Sequence, residues 1–222
     1  MVHTKSISTG HGKAHKWVVT PKPGTHKKKE SLPLLLIVRD ILKLADNARE
    51  AEKIIRSGLI TVDGVPKKKH NDSVGLMDVV SIRKIQKHFR MLPAKQGLHL
   101  KEIPDKEANI KLRKIVGKKT LKGGKTQLLL HDGKTMLVEK GAYGVGDTLV
   151  EELDSGKITK TFELKEGKAA LVTSGVHSGM TGKIVEVLPA TAARKSLTKV
   201  GESQTLSAYV FVVGDANPAI EL

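Results

Sequence analysis

The sequence of 222 residues carries 39 Lys and Arg against 23 Asp and Glu, a formal net charge of +16. A protein this basic repels itself unless a polyanion neutralises it, and the candidates are nucleic acid and an anionic membrane surface. The longest apolar run, residues 34–38, falls far short of the roughly 20 residues that a membrane-spanning helix needs. There is no Cys and no apolar N-terminal core, so we expect an intracellular protein with neither disulfides nor a secretory signal.

Residues 1–30 are predicted to form an extended basic arm. Seven Lys and one Glu give this segment a charge of +6, and it has too little apolar surface to fold alone. We expect the arm to be disordered when free and to order on its partner. Its tryptophan can stack on a base or pin the arm to its own domain, and both interpretations stay open. The candidate RNA contacts in the arm are Lys13, His15, Lys16, Trp17, Lys27, Lys28 and Lys29.

The histidines of the arm do not form a convincing metal site. Two of them, His11 and His15, are four residues apart, but the segment is rich in Gly and has no carboxylate between them. Hydrogen bonding to phosphate or sugar is the favoured interpretation for these two, for His3 and for His26. We expect no metal and no cofactor.

Residues 31–57 are predicted to form two helices. Asn47 and Glu50 have the spacing of a capping box at the start of the second helix, and Gly58 is suited to end it. Arg49, Lys53 and Arg56 then form one basic stripe, which no acidic residue is expected to interrupt. A solvated helix surface is the alternative. Further cations flank this stripe, and they are Arg39, Lys67, Lys68 and Lys69.

Short apolar runs separated by turn signals follow these helices. Asp63-Gly64 is the favoured turn of a two-residue hairpin within 59–66. The spacing of residues 95–170 predicts a small β-domain, with a short helix at 106–116. A second β-unit is predicted at 168–214, and the last 52 residues carry no net charge. Lys122-Gly123-Gly124-Lys125 lacks the pattern of a nucleotide-binding loop, so nucleotide binding is not expected.

Two segments resemble known RNA-binding elements. Residues 34–65, with a basic second helix before Gly58-Leu59-Ile60-Thr61-Val62-Asp63-Gly64, resemble the module named after ribosomal protein S-four. Residues 172–184 resemble the KOW motif, in which a glycine permits a tight turn between strands and the loop approaches RNA. Gly182 best fits that glycine and Lys183 follows it, although Ser178 and Met180 stand where cations are expected.

The order of these segments is similar to that in the family of small-subunit ribosomal protein four of the archaeal–eukaryotic type. The resemblance includes His15-Lys16-Trp17 and His131-Asp132-Gly133-Lys134-Thr135. It implies a non-enzymatic, cytoplasmic component of the small ribosomal subunit that binds ribosomal RNA and neighbouring proteins and supports assembly and translation. It implies no membrane and no small-molecule substrate. The alternatives are an RNA-modifying enzyme with an S-four-like module and a KOW-type transcription factor.

The expected fold class is therefore α+β and multidomain. The expected segments are a basic arm (1–30), a helix–helix–hairpin RNA-binding module (31–94), a central β-domain (95–167), a small KOW β-barrel (168–214) and a tail (215–222).

Overall fold

Antiparallel strands dominate the computed structural model, and its helices are short. The structure describes residues 1–4, 7, 16–95, 97–138, 143–192 and 194–222. Contacts divide the chain into two units, Met1–Lys111 and Leu112–Leu222. This division is coarser than the five segments expected from the sequence, and the boundaries of those segments stay predictions.

The first unit combines a five-stranded antiparallel sheet, in the order β5-β4-β7-β8-β9, with the smaller pairs β1-β2 and β3-β6. Its strands are β1 (Val2–His3), β2 (Trp17–Val18), β3 (Ser31–Pro33), β4 (Ile60–Val62), β5 (Val65–Pro66), β6 (Ser73–Gly75), β7 (Val79–Ile82), β8 (Lys87–Ala94) and β9 (Gly97–Ile103). Its helices are α1 (Leu34–Leu36), α2 (Ala48–Arg56) and α3 (Asp105–Ala108), with a 3-10 turn at Lys28–Glu30.

The first predicted helix is shorter than its sequence pattern indicates. It begins after Pro33, and α1 continues directly into a π-helical turn at Ile37–Ile41. The N–H of Leu42 donates to the carbonyl of Ile37 at 2.8 Å, which closes this wider turn. Residues 34–38 are buried on every side, so the helix lies in the core of the unit.

Local signals set the second helix and the hairpin after it, and both predictions are confirmed. Asn47 Oδ1 accepts from the N–H of Glu50 at 3.0 Å at the start of α2. Gly58 follows the helix with φ +74°. At the hairpin turn Asp63 and Gly64 have φ values of +51° and +77°, as a two-residue primed turn requires.

A buried cluster of charged side chains joins the arm to the sheet of the first unit. Lys111 Nζ donates to Asp63 Oδ2 and Asp78 Oδ1, each at 2.5 Å. His26 Nε2 lies 2.9 Å from Asp78 Oδ1, and the N–H of Gly75 donates to Asp78 Oδ2 at 2.8 Å. Burial alone would raise the pKa of Asp78, but Lys111 and the His26 hydrogen bond outweigh burial and hold this pKa below its usual range.

This cluster corrects the interpretation of His26 as an RNA contact. The His26 side chain is buried, and its Nε2 is in contact with the Asp78 carboxylate. The sequence gives no sign of the contact, because the two residues are 52 positions apart.

Replacement of Gly75 by alanine should displace His26 and destabilise the first unit. A Cβ at Gly75 would lie 2.2 Å from the Cγ of His26, far inside van der Waals contact. Overpacking of a buried site costs about 1–3 kcal/mol, and we expect that loss in the free energy of unfolding measured with urea. The matched control is Gly24→Ala, whose Cβ meets nothing closer than Ser73 Oγ at 3.8 Å. Equal stability of the two variants would contradict the prediction.

The second unit contains two five-stranded antiparallel sheets, in the orders β12-β11-β10-β13-β14 and β18-β17-β16-β15-β19. The strands of the first are β10 (Ile110–Thr120), which begins just before the unit boundary, β11 (Thr126–Leu130), β12 (Thr135–Val138), β13 (Thr148–Glu152) and β14 (Ile158–Phe162). Those of the second are β15 (Ala169–Val172), β16 (Thr181–Leu188), β17 (Leu197–Val200), β18 (Ser203–Leu206) and β19 (Val210–Gly214).

The helix predicted at 106–116 is wrong over most of its length. Only Asp105–Ala108 is helical, and Ile110–Thr120 is the central strand of its sheet. The strand buries Arg113, which reaches Asp132 at 3.0 Å and Glu151 at 2.7 Å. The local sequence does not show these ion pairs, because both carboxylates are distant along the chain. Taken alone, the basic residues of this stretch therefore have the pattern of a solvated helix face.

Gly182 does not occupy a turn, which corrects its assignment as the turn glycine of the KOW-like segment. It lies in β16 and pairs with Ala170. A Cβ there would be 3.1 Å from Val200 Cγ1, so close packing explains the small residue. The loop before β16 instead has Gly175 and Gly179 at φ values of +91° and +85°.

Because of Lys114, the stability of the second unit should change with pH in the alkaline range. Lys114 Nζ donates to the carbonyls of Ser207, Ala208 and Val210 at 3.0, 2.8 and 2.6 Å, and burial lowers its pKa from 10.5 to about 8. The unfolded chain then binds more protons than the folded one between pH 8 and 10.5, so Lys114 favours folding increasingly as pH rises through this window.

The wild-type chain should therefore gain about 3 kcal/mol of stability relative to Lys114→Met between pH 7 and pH 10.5. Urea unfolding at several pH values measures this difference, and the exposed Lys160→Met serves as control. Parallel curves for the wild type and Lys114→Met would contradict the prediction.

Candidate nucleic-acid interface

The exposed side of α2 carries the basic stripe expected from the sequence. Arg49, Lys53 and Arg56 are exposed, while Ala51 and Ile55 are buried in the core. This division follows from the helical period, which places residues four and seven apart on one side. Helix capping and core packing thus point the three cations away from the unit.

One acidic residue modifies this stripe, contrary to expectation. Glu52 Oε2 lies 3.0 Å from Arg56 Nη2, and Glu52 Oε1 lies 3.7 Å from His70 Nδ1. Arg56 is therefore partly neutralised. Among the described residues no ion pair engages Arg49 or Lys53, so these two carry most of the available charge of the helix.

The basic loop after β5 lies beside the C-terminal end of α2. A Cβ on Gly58 would be 3.6 Å from the Cε of Lys68, so the stem of this lysine covers the end of the helix. Lys67 is half-buried, whereas Lys68 and Lys69 are exposed. We call the combined area the front basic surface. Its members are Arg49, Lys53, Arg56, Lys67, Lys68 and Lys69.

Main-chain hydrogen bonds fix the loop that carries these lysines. The carbonyls of His70 and Asp72 accept from the first N–H groups of α1, those of Leu35 and Leu34, each at 2.9 Å. The carbonyl of Asn71 accepts from the N–H of Lys22 at 2.7 Å. The front basic surface is therefore positioned before any partner binds.

In the described part of the arm, one residue of β2 packs in the core and its neighbour is exposed to solvent. Val18 in β2 is 5% exposed and belongs to the core, whereas Trp17 is 57% exposed. The Trp17 ring has His3 at its edge at 5.7 Å and Lys16 Nζ at 6.0 Å from its centroid. Val18 rather than Trp17 anchors the arm, which leaves the indole accessible for stacking. Lys13 and His15 lie outside the described residues.

The remaining predicted contacts fall into two groups. Lys27, Lys28 and Lys29 are exposed around the 3-10 turn, and Lys27 Nζ lies 3.6 Å from Glu30. Arg39 hydrogen bonds both carboxylate oxygens of Asp40, at 2.7 and 2.9 Å, which raises the pKa of Arg39. Its cation is therefore less available than the sequence indicates.

Lys183 belongs to the second unit and is exposed on β16. The loop before this strand, residues 173–180, contains no Lys or Arg, and its Val176 is 87% exposed. Lys183 thus lacks the basic neighbours found on the front basic surface.

The described part of the chain contains neither a metal-binding cluster nor a membrane-spanning helix. No group of three or more His, Asp and Glu residues there could hold a metal ion. No described helix has the length and apolarity to cross a membrane.

Comparisons with known proteins point to one family. Residues 85–175 match the model described as Ribosomal family S4e, and residues 34–80 match the S4 domain. The small ribosomal subunit protein eS4 of Methanosphaera stadtmanae is 43% identical over 218 residues, covering 96% of this chain and 90% of the relative. The eS4 protein of Methanocaldococcus jannaschii is also 43% identical, covering 95% of this chain and 91% of the relative.

A solved structure agrees with these sequence matches. The crystal structure of the 30S ribosomal protein S4e from Thermoplasma acidophilum is 33% identical to this chain and superposes with a TM-score of 0.76. The match covers 84% of this chain and 96% of the Thermoplasma acidophilum chain.

Proposed function

This chain belongs to the ribosomal S4e family, and on that premise we propose that it is a structural, non-enzymatic constituent of the small ribosomal subunit. The observation that carries the proposal is the 43% identity to a small ribosomal subunit protein over 96% of this chain. The relatives compared above are named as ribosomal proteins, so neither the RNA-modifying enzyme nor the transcription factor is favoured. Ribosomal RNA and neighbouring ribosomal proteins are its partners, in the cytoplasmic ribosome.

Electrostatic neutralisation is the proposed mechanism of RNA binding. Lys and Arg groups release counterions condensed on the phosphates, which makes affinity depend steeply on salt. Duplex RNA hides its base edges in a deep groove, so binding relies on shape, phosphates and unpaired bases. The front basic surface supports this mechanism because its loop is already fixed by main-chain hydrogen bonds.

The arm extends this interface in the proposal. Lys16, Lys27, Lys28 and Lys29 add phosphate contacts, and the exposed Trp17 stacks on an unpaired base. Lys13 and His15 belong to the same arm, and Arg39 makes a weaker contribution because Asp40 engages it. The C-terminal sheet is a KOW-type barrel that brings Lys183 near RNA or a neighbouring protein.

Association with native particles tests this function. The tagged chain, expressed in its own cells, should co-sediment with small ribosomal subunits in a sucrose gradient and leave them only at high salt. Its absence from these fractions at low salt, or its recovery with RNA polymerase, would overturn the proposal.

A further inference from the structure

The hairpin formed by β10 and β11 concentrates positive charge at its tip. Lys118, Lys119, Lys122 and Lys125 are exposed there, and the sequence contains no acidic residue from 108 to 131. We call these four lysines the hairpin basic surface. None belongs to the front basic surface, and they lie in the second unit.

The base of this hairpin is rigid and its tip stands clear of the rest of the unit. Leu128 is fully buried, and Lys125 lies three residues beyond it, about 10 Å along the strand. The N–H of Leu121 donates to the carbonyl of Lys125 at 2.9 Å, which leaves a three-residue turn. Gly123 and Gly124 have positive φ, and a Cβ on either would meet no atom within 4 Å. The tip is therefore open to a partner.

The lysines of the hairpin are clustered, and among the described residues none of them has a counter-charge, whereas some other lysines of the second unit do. Lys134 pairs with Glu151, and Lys168 with Asp215. No ion pair engages the hairpin basic surface within the described ranges, and only Lys118 has a polar partner, donating to the Tyr143 carbonyl at 3.1 Å.

Register places two of these lysines on one face of the sheet. Lys119 pairs with Gln127, so Lys125, two residues before Gln127, is its diagonal neighbour at about 7–8 Å. Such a concentration of like charge repels itself, and a polyanion offsets that repulsion. Two exposed apolar side chains, Leu129 and Leu137, lie on the same face but away from the glycine turn, and Leu129 covers Gly117. An acidic protein partner is less suited, because the cations cluster at the turn, where there is no apolar side chain for a protein interface to bury.

We propose that the hairpin basic surface is a second RNA-binding site, which grips the phosphate backbone of folded ribosomal RNA independently of the front basic surface. The inference rests on the proposed function, since it requires that the chain bind ribosomal RNA. It adds a site in the second unit, to which the sequence analysis assigned no cationic RNA contact except Lys183.

The test compares two full-length triple variants of equal charge. The first is Lys119→Gln, Lys122→Gln and Lys125→Gln, which spares Lys118 and its hydrogen bond. The control removes three exposed, scattered lysines of the same unit by Lys160→Gln, Lys195→Gln and Lys199→Gln. Affinity for an in vitro transcript of the small-subunit RNA is measured at several salt concentrations.

The hairpin variant should bind at least tenfold more weakly than the control at about 0.1 M salt, with the salt slope reduced by about two. Equal affinities would overturn the inference while leaving the proposed function intact, provided that the wild type binds. A wild type that ignores the transcript would overturn the proposed function itself. Loss of binding to phosphatidylserine vesicles, without loss of RNA binding, would overturn the inference in favour of a membrane.

Discussion

Substitution of Arg49, Lys53, Lys68 and Lys69 by glutamine should weaken binding to small-subunit RNA by about a hundredfold at low salt. Each cation lost from a phosphate contact lowers the salt slope by about one, so the quadruple variant should lose three to four. These four residues are exposed and are engaged in no ion pair within the described part of the chain. Arg56 is omitted because Glu52 already neutralises part of its charge.

The control for this variant removes the same number of positive charges elsewhere on the first unit. Its residues are Lys84, Lys87, Lys95 and Lys106, which are all exposed and lie outside α2 and its loop. Their replacement by glutamine should lower affinity only through the smaller net charge. Fluorescence anisotropy with a labelled transcript from 0.05 to about 0.3 M salt measures both slopes. Identical slopes for the two variants would exclude the front basic surface as an RNA contact.

Replacement of Lys111 by methionine should cause the largest loss of stability, about 3–5 kcal/mol. Lys111 is 1% exposed and is the cation between Asp63 and Asp78. Without it the buried Asp78 and the half-buried Asp63 face each other with no lysine charge between them, and this favours the neutral form of the carboxyl groups. Urea unfolding at pH 7 measures the loss, and the exposed Lys106→Met should change stability by less than about 0.5 kcal/mol.

The pH dependence separates this electrostatic effect from a loss of packing. In the wild type the pKa of Asp78 is held low, so its contribution is complete above pH 4 and is lost below it. In Lys111→Met the carboxylates take up protons at higher pH, so the variant should be less destabilised at pH 5 than at pH 7. A second substitution, Asp63→Asn, should restore part of the stability. A deficit that is constant with pH would contradict this account.

Features set by neighbouring residues were predictable from the sequence. The cap at Asn47, the glycine after α2 and the Asp63-Gly64 turn each depend on a few consecutive positions. The basic stripe was also predictable, because helical period alone divides Arg49 and Lys53 from the buried side. The same reasoning overlooked Glu52, although Glu52 and Arg56 have the i, i+4 spacing of a helical ion pair and the contact was readable from the sequence.

Features set by distant residues were not predictable in this way. His26 contacts Asp78, which is 52 positions away in the sequence, and only the folded chain brings the two side chains together. The strand Ile110–Thr120 carries cations at positions typical of a helix surface. Their burial depends on carboxylates and main-chain carbonyls that are distant in sequence. The sequence shows the hairpin lysines only as an incomplete nucleotide-binding pattern, because side-chain positions are needed to show that no described acidic residue pairs with them.

Main-chain hydrogen bonds at residues 70–72 hold the basic loop in place. These bonds set the position of the loop but not the side chains that it carries. Its hydrogen bonds to Leu34, Leu35 and Lys22 use only peptide groups, so they do not depend on the identity of positions 67–69. Arginine could replace lysine there without moving the scaffold. Selection at these positions is therefore expected to act on total charge. We expect related chains to carry Lys or Arg at different positions of the loop with the same total charge.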